Sequence, residues 1–130
     1  LKSWRGLAFE NLCFNHIPQI KNALGISGVY TETSCCIFSG NDGNRGAQID
    51  LLIDRDDRIM NLCELKFSET EYAIDKDEEE KLRNRKQRLY EESKTKKAIH
   101  LTLITTYALK QNKYSGIIQN VITAEQLMSV

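Results

Sequence analysis

Two apolar segments separated by a short charged connection constrain the fold of this chain more than any other feature of its sequence. The segments 47–53 and 59–67 flank residues 54–58, which are all Asp or Arg and have the length of a hairpin connection. The almost continuous hydrophobicity of both segments is typical of strands that are covered on both faces. The pattern therefore predicts an antiparallel strand pair inside a sheet, with helices packed on each side.

The remaining patterns complete one α/β domain over residues 1–130, built as a mixed central β-sheet flanked by helices. A hydrophobic content of 41% in 130 residues is enough for one compact core but hardly for two. The predicted helices cover residues 4–15, 17–24 and 75–93 and a last segment capped by Thr123, and the other predicted strands cover 29–38, 98–106 and 116–123.

The composition limits the class of protein. With 18 basic and 18 acidic residues, the chain lacks the net positive charge that often marks a nucleic-acid binder. No run of about 18 apolar residues and no signal-peptide pattern occurs, so we expect a cytoplasmic protein without a membrane partner. The four cysteines lack metal-ligand spacing, which indicates free thiols. Because Leu1 stands where Met would begin a complete chain, we expect a piece of a longer polypeptide.

Three charged residues interrupt the two buried strands: Asp50 in the first, and Glu64 and Lys66 in the second. A buried carboxylate without a partner costs several kcal/mol, so each one needs compensation. Strand alternation points Glu64 and Lys66 to one face, and a hairpin folded about Asp56 sets Asp50 opposite or diagonal to Glu64. The two carboxylates could share a divalent cation, or Asp50 and Lys66 could form a buried ion pair that leaves Glu64 uncompensated.

Asp50 followed by Glu64-Leu65-Lys66 resembles the D-x(n)-E-x-K signature of the PD-(D/E)xK, or restriction-endonuclease-like, nuclease superfamily. The predicted element order is also similar to the αβββαβ core of that superfamily. A closer resemblance is to the C-terminal nuclease-like domain of a family of prokaryotic AAA-type ATPases. It is carried by segments 4–10, 46–52, 63–67 and 114–117. The residue before Asp50 is Ile49 rather than the Pro of the superfamily name, a departure that many members share.

The resemblance implies roles for individual residues. Asp50 and Glu64 would be metal ligands together with the backbone carbonyl of Leu65, and Glu10 on the first helix would complete the acidic set. Lys66 would orient or activate the attacking water, or stabilise charge that develops on the phosphate. Oxygen ligands with few protein contacts suit Mg2+, with Mn2+ as the alternative ion.

Further polar residues are candidates for contacts with DNA phosphates. Gln48 is expected on the same face as Asp50, because the two are separated by one residue of a strand. Arg83, Arg85 and Arg88 lie in the basic half of the polar helix and could contact the DNA backbone, although such charge runs are more often solvated faces.

The leading functional hypothesis is a Mg2+-dependent nuclease module, endo or exo, that hydrolyses DNA phosphodiester bonds and is attached to an ATPase domain of the same chain. A toxin-like or defence nuclease would use the same chemistry. The alternative is a catalytically silent interaction or regulatory domain of the ATPase, since a fold does not fix a function. DNA and the ATPase domain are the expected partners, and a homo-oligomer is compatible with the sequence.

Overall fold

A five-stranded mixed β-sheet with helices on both faces organises residues 3–40 and 46–128, which are the residues that this computed structural model describes. The α/β class predicted from the sequence is confirmed. In this part of the chain no helix is long and apolar enough to cross a membrane. The helices are α1 (Trp4–Phe14), α2 (Ile17–Ala23), α3 (Lys76–Ser93) and α4 (Ala124–Met128), and the strands are β1 (Thr31–Phe38), β2 (Ala47–Arg55), β3 (Ile59–Lys66), β4 (Ala98–Thr105) and β5 (Asn120–Thr123).

The strands lie in the order β1-β2-β3-β4-β5. β2 pairs antiparallel with β3, as the hairpin connection predicts, and it also pairs antiparallel with β1. β4 pairs parallel with both β3 and β5. The parallel crossover from β3 to β4 contains α3. β3 is therefore the central strand of the sheet, which explains why its apolar run shows almost no polar alternation.

Each face of the sheet carries its own hydrophobic cluster. The first cluster joins Leu62 of β3 to Leu82 and Leu89 of α3. The second joins Leu65 of β3 to residues of α1, α2 and α4, among them the buried Cys13. Successive residues near the end of β3 therefore enter different layers, and a charged side chain in this strand must find its partner within one of them.

β2 contains a β-bulge at Asp50. One residue of β1, Cys35, lies opposite two residues of β2, Asp50 and Leu51. The extra residue breaks the alternation of the strand, because Ile49 and Leu52 both belong to the cluster under α3 whereas Leu51 belongs to the other cluster. The bulge thus decides which layer the side chain of Asp50 enters.

The predicted strand 116–123 is shorter in the structure. β5 begins only at Asn120, and Ser115–Ile117 form a short 3-10 helix. The side chain of Asn112 explains the difference, because its Oδ1 accepts hydrogen bonds from the backbone N–H groups of Tyr114 and Ser115 at 2.8 and 2.9 Å. This local turn competes with an extended backbone at the same residues.

α3 is closed at both ends by local backbone chemistry. The carboxylate of Asp75 accepts the N–H of Glu78 at 2.8 Å as an N-cap, and Lys94 ends the helix in the left-handed region with φ 54°. Leu82 and Leu89 bury one side of this mostly polar helix. The two leucines fix the rotation of α3 about its axis and so select the charged residues that face the sheet.

We expect Leu62→Ala to lower the free energy of unfolding by about 3 kcal/mol, because Leu62 is fully buried and its truncation leaves a cavity in the cluster under α3. Leu7→Ala removes the same atoms from an exposed position on α1 and should change this free energy by less than about 0.5 kcal/mol. Urea unfolding followed by circular dichroism measures both values. Equal losses in the two variants would contradict the core assignment.

Candidate active site

The carboxylate of Glu64, near the C-terminal end of β3, is the centre of the candidate site. Glu64 is only 5% exposed, so water does little to compensate its charge. Lys66 Nζ lies 3.4 Å from Glu64 Oε1, and the guanidinium of Arg85 on α3 forms a salt bridge with Glu64 Oε2. Each oxygen of the carboxylate therefore has one cationic partner. The structure places Glu64 and Lys66 on one face of β3 and Leu65 in the opposite layer.

Asp50 lies on the neighbouring strand, where its side chain lines a pocket of the α1–α2 layer and reaches the backbone of β3. The ladder pairs Leu51 with Cys63, one residue away from Asp50 and Glu64, which is the register predicted from the hairpin. Asp50 Oδ2 accepts the backbone N–H of Leu65 at 3.5 Å, a long hydrogen bond. The negative charge of Asp50 also acts on the pKa of Glu64, so the two carboxylates lie within electrostatic reach of each other.

Burial raises the pKa of Glu64 above its ordinary value of 4.5. The charges of Arg85 and Lys66 act in the opposite direction, and the charge of Asp50 adds to the rise. Because the net shift is upward, desolvation outweighs the attraction of the two cations. The pair of carboxylates would therefore be stabilised by a further positive charge.

Two residues that the sequence patterns did not single out extend the site beyond Lys66: Glu78 lies near Lys66, and Tyr72 interacts with Glu78. Glu78, in the first turn of α3, places Oε1 4.0 Å from Lys66 Nζ. Burial and the charge and hydrogen bond of Glu78 raise the pKa of Tyr72, to which Glu64 also contributes. A continuous series of polar contacts therefore runs from Tyr72 through Glu78 and Lys66 to Glu64.

The spacing of residues along α3 would have identified Glu78 and Arg85 as residues that face the sheet. Glu78, Leu82, Arg85 and Leu89 are separated by four, three and four residues, which places them on one face of a helix. Since Leu82 and Leu89 are buried, Glu78 and Arg85 must face the sheet as well.

Glu10 approaches the site from α1, on the other side of the sheet. It is half-buried and lies one turn before Cys13. Burial, with the charges of Glu10 and Asp50, raises the pKa of the Cys13 thiol to about 12, so both carboxylates act on the same buried group. Among residues 3–40 and 46–128, no three or more His, Cys, Asp or Glu side chains are arranged to hold a metal ion. The structure therefore does not gather Glu10 with Asp50 and Glu64 as a third ligand.

Arg88 has a structural position that argues against the predicted contact with DNA. It is 3% exposed, and its guanidinium donates to the carbonyl of Ser39 at 3.2 Å and lies 5.4 Å from the centre of the Phe38 ring. It also forms a salt bridge with Glu92 at 3.0 Å. These contacts attach the end of β1 to α3, and the guanidinium faces protein rather than solvent.

The other two arginines of α3 differ from each other. Arg83 is exposed and forms a salt bridge with Glu79, one helical turn away, at 3.4 Å. Arg85 turns inward to Glu64 and is partly exposed at its other side. Of the three arginines, Arg83 and Arg85 keep the solvent access that a phosphate contact requires.

Gln48 and Asp50 line different pockets. Gln48 is among the residues that line a groove beside Arg85 of α3, whereas Asp50 lines a pocket with Phe14 and Ile17 of the α1–α2 layer. The bulge lies at Asp50 and Leu51, so the alternation from Gln48 to Asp50 is regular. The expectation that their side chains share a face stays a prediction.

The donor chemistry of Asp50 and Glu64 fits a hard divalent cation. Both supply carboxylate oxygens from adjacent strands, Glu64 from the α3 side of the sheet and Asp50 from the pocket of the α1–α2 layer. Mg2+ is commonly held by one or two carboxylates, with water and substrate phosphates as its other ligands. An ion held by these two carboxylates would not need Glu10 as a further ligand.

Comparison with known proteins finds a similarity of fold. No protein-family model matches the chain, and no curated protein matches it. A solved structure described as "Crystal Structure of Protein of Unknown Function AF1548" is similar, with a TM-score of 0.58 and 17% sequence identity. The similarity covers 90% of this chain and 64% of the other, so this chain spans a little under two thirds of that protein. At this identity the similarity supports the fold alone.

We expect Arg85→Ala to lower the free energy of unfolding at pH 7 by on the order of 3 kcal/mol, because the buried Glu64 carboxylate keeps only Lys66 as its cationic partner. The pKa of Glu64 is raised in the folded protein, so the stability that this group contributes is present below pH 4.5 and is lost as the pH rises through the folded-state pKa. Loss of Arg85 raises that pKa further, and the destabilisation should therefore shrink toward pH 4.

Arg83→Ala is the matched control for this experiment, since it removes an exposed guanidinium from the same helix and should have little effect at either pH. Urea unfolding at pH 4 and pH 7 measures all four values. If Arg85→Ala lowers the free energy of unfolding by the same amount at both pH values, the pairing of Arg85 with an ionised Glu64 is contradicted.

Proposed function

We propose that this chain is a metal-dependent nuclease domain of the PD-(D/E)xK type that hydrolyses DNA phosphodiester bonds. The observation that supports this proposal best is the buried Glu64 carboxylate, with Asp50 on the adjacent strand and the Lys66 ammonium 3.4 Å away. Two acids and a lysine on neighbouring strands are the groups that phosphodiester hydrolysis requires for charge stabilisation and for positioning of water.

The proposed metal ligands are Asp50, Glu64 and the backbone carbonyl of Leu65, with Mg2+ or Mn2+ as the ion. When bound, such an ion supplies charge stabilisation to the phosphate and lowers the pKa of coordinated water. The raised pKa of Glu64 supports this assignment, because a cation beside the two carboxylates would offset the cost of burial.

Lys66 is the proposed catalytic residue on the substrate side. Its ammonium group is partly exposed, and Glu64 at 3.4 Å and Glu78 at 4.0 Å hold it near the end of β3. Held in this way, it can donate hydrogen bonds to the attacking water or to a phosphate oxygen without a large loss of side-chain entropy in the reaction. In the hydrolysis the water oxygen bonds to phosphorus and gives up a proton, the bridging P–O bond breaks, and the leaving oxygen takes up a proton.

Association with an ATPase domain in the cytoplasm is the proposed setting. Cys13, Cys35, Cys36 and Cys63 are free thiols, which is compatible with a reducing compartment. The resemblance of the sequence to nuclease-like domains of AAA-type ATPases supports the partner.

An interaction domain of the ATPase is the second candidate function, and the surface of α1 is the observation that favours it. Trp4, Leu7 and Phe14 of this helix are 80%, 47% and 44% exposed. Large apolar side chains at solvent-exposed positions of one element often mark a protein contact. Such a contact is compatible with catalysis, so the two candidates differ in whether cleavage occurs.

Calorimetric titration with MgCl2 or MnCl2 should show binding that weakens by roughly tenfold, equivalent to about 1.4 kcal/mol, in Asp50→Asn. The substitution keeps the size of the side chain and removes one of the two proposed carboxylate charges. Asp54→Asn is the control, because Asp54 lies in the same strand but pairs with Lys97 at 2.6 Å. Equal affinity of the wild type and Asp50→Asn would exclude the proposed metal site.

Incubation with Mn2+ and plasmid, linear or single-stranded DNA should give cleavage that falls by on the order of a hundredfold or more in Lys66→Ala, because a group that stabilises the transition state is lost. Metal binding should remain in this variant, and Lys76→Ala, which removes an exposed lysine at the start of α3, should cleave like the wild type. If a full-length polypeptide with ATP and Mn2+ binds the metal but cleaves none of these DNAs, the interaction domain becomes the better account.

A further inference from the structure

We propose that a groove between α3 and the end of the β1–β2 pair where β1 leads into β2 binds the phosphodiester backbone of a nucleic acid and leads it to Glu64. This α3 groove has a volume of about 410 Å³, within the range of ligand sites. Its polar lining consists of Gln48 from β2 and of Lys81, Asn84 and Arg85 from α3. The inference rests on the proposed nuclease function and names the surface that its substrate would follow.

The lining has the chemistry that phosphate recognition requires. Lys81 and Arg85 contribute positive charge, and Asn84 contributes amide N–H donors. Each cation also has an acidic partner outside the lining, because Asp77 lies 3.2 Å from Lys81 and Glu64 forms a salt bridge with Arg85. None of the described residues that line the groove is acidic, whereas Glu79 is part of the lining of the pocket on the other flank of α3.

Arg85 connects the α3 groove to the candidate active site. The same guanidinium that lines the groove forms the salt bridge with Glu64 Oε2. A phosphate in the groove therefore lies one side chain away from the buried carboxylate. It also competes with Glu64 for Arg85, since guanidinium groups form comparable pairs with carboxylates and phosphates.

The walls of the groove are held by backbone contacts. Asn84 Nδ2 donates to the carbonyl of Gly46 at 3.4 Å, which ties α3 to the start of β2. A Cβ atom at Gly46 would lie 3.2 Å from the backbone nitrogen of Gly40 and from the carbonyl oxygen of Phe38, so the chain after β1 approaches the chain before β2 closely at this point. These contacts hold the described residues of the groove together, and groups that are already held lose less entropy when a ligand binds.

Fluorescence anisotropy with labelled single-stranded and duplex DNA in EDTA tests the groove without cleavage. Lys81→Ala should weaken binding several-fold and lower the slope of log K against log salt by about 1, as the loss of one phosphate contact predicts. Asn84→Asp keeps the shape of the side chain and adds a negative charge, so it should weaken binding more. A variant that disturbs only folding would not change the salt slope by one contact.

Lys86→Ala is the matched control, because it removes one lysine of the same helix from the opposite flank. It should bind DNA like the wild type. The α3 groove is wrong if Lys86→Ala weakens binding and Lys81→Ala does not, if neither Lys81→Ala nor Asn84→Asp changes binding, or if the wild type does not bind DNA.

These outcomes separate the groove from the proposed nuclease activity. DNA binding that depends on Lys81 and Asn84, without Mn2+-dependent cleavage, would support the groove and contradict the proposed nuclease activity. Cleavage that depends on Lys66, together with wild-type binding by Lys81→Ala and Asn84→Asp, would support the enzyme and overturn the groove.

Discussion

The buried carboxylate of Glu64 is the interaction on which the arrangement of this molecule depends. A charge in the central strand of a sheet has little access to bulk water, so its partners must come from the protein. Lys66 comes from the same strand, and Arg85 comes from α3, 21 residues further along the chain than Glu64. The docking of α3 and the completion of the site are therefore one event: the helix brings the leucines that cover the sheet and the guanidinium that neutralises its buried acid.

The parts of the site that the sequence predicts are those set by short-range geometry. The length of the charged connection gives the β2–β3 register, and alternation puts Glu64 and Lys66 on one face. The bulge cannot be predicted in this way, because it depends on how β1 pairs with β2 and not on the sequence of β2 alone. The salt bridge between Arg85 and Glu64 is partly predictable. The positions of Leu82 and Leu89 fix the rotation of α3 about its axis, and this rotation turns Arg85 toward the sheet.

The fold was predictable in class and in most elements, and the exceptions have local causes. β5 is shorter than its β-branched run indicates, because Asn112 stabilises a turn just before it. Arg88 belongs to a basic run, which on average indicates a solvated face, yet it serves as a buried anchor for the end of β1. In both cases the contacts of one side chain override a tendency that holds for the surrounding residues.

The bulge in β2 has a consequence for how sequences related to this one should be compared. The layer that the acid enters is set by the number of residues between Ile49 and Leu52, since this surplus residue is what breaks the alternation of the strand. A lineage that lost the codon of Leu51 would keep every letter of the D-x(n)-E-x-K pattern at the cost of one core residue, while the acid would turn into the other layer. In this strand, a related sequence can keep the motif without keeping the site, and a small deletion has this effect more readily than a substitution does.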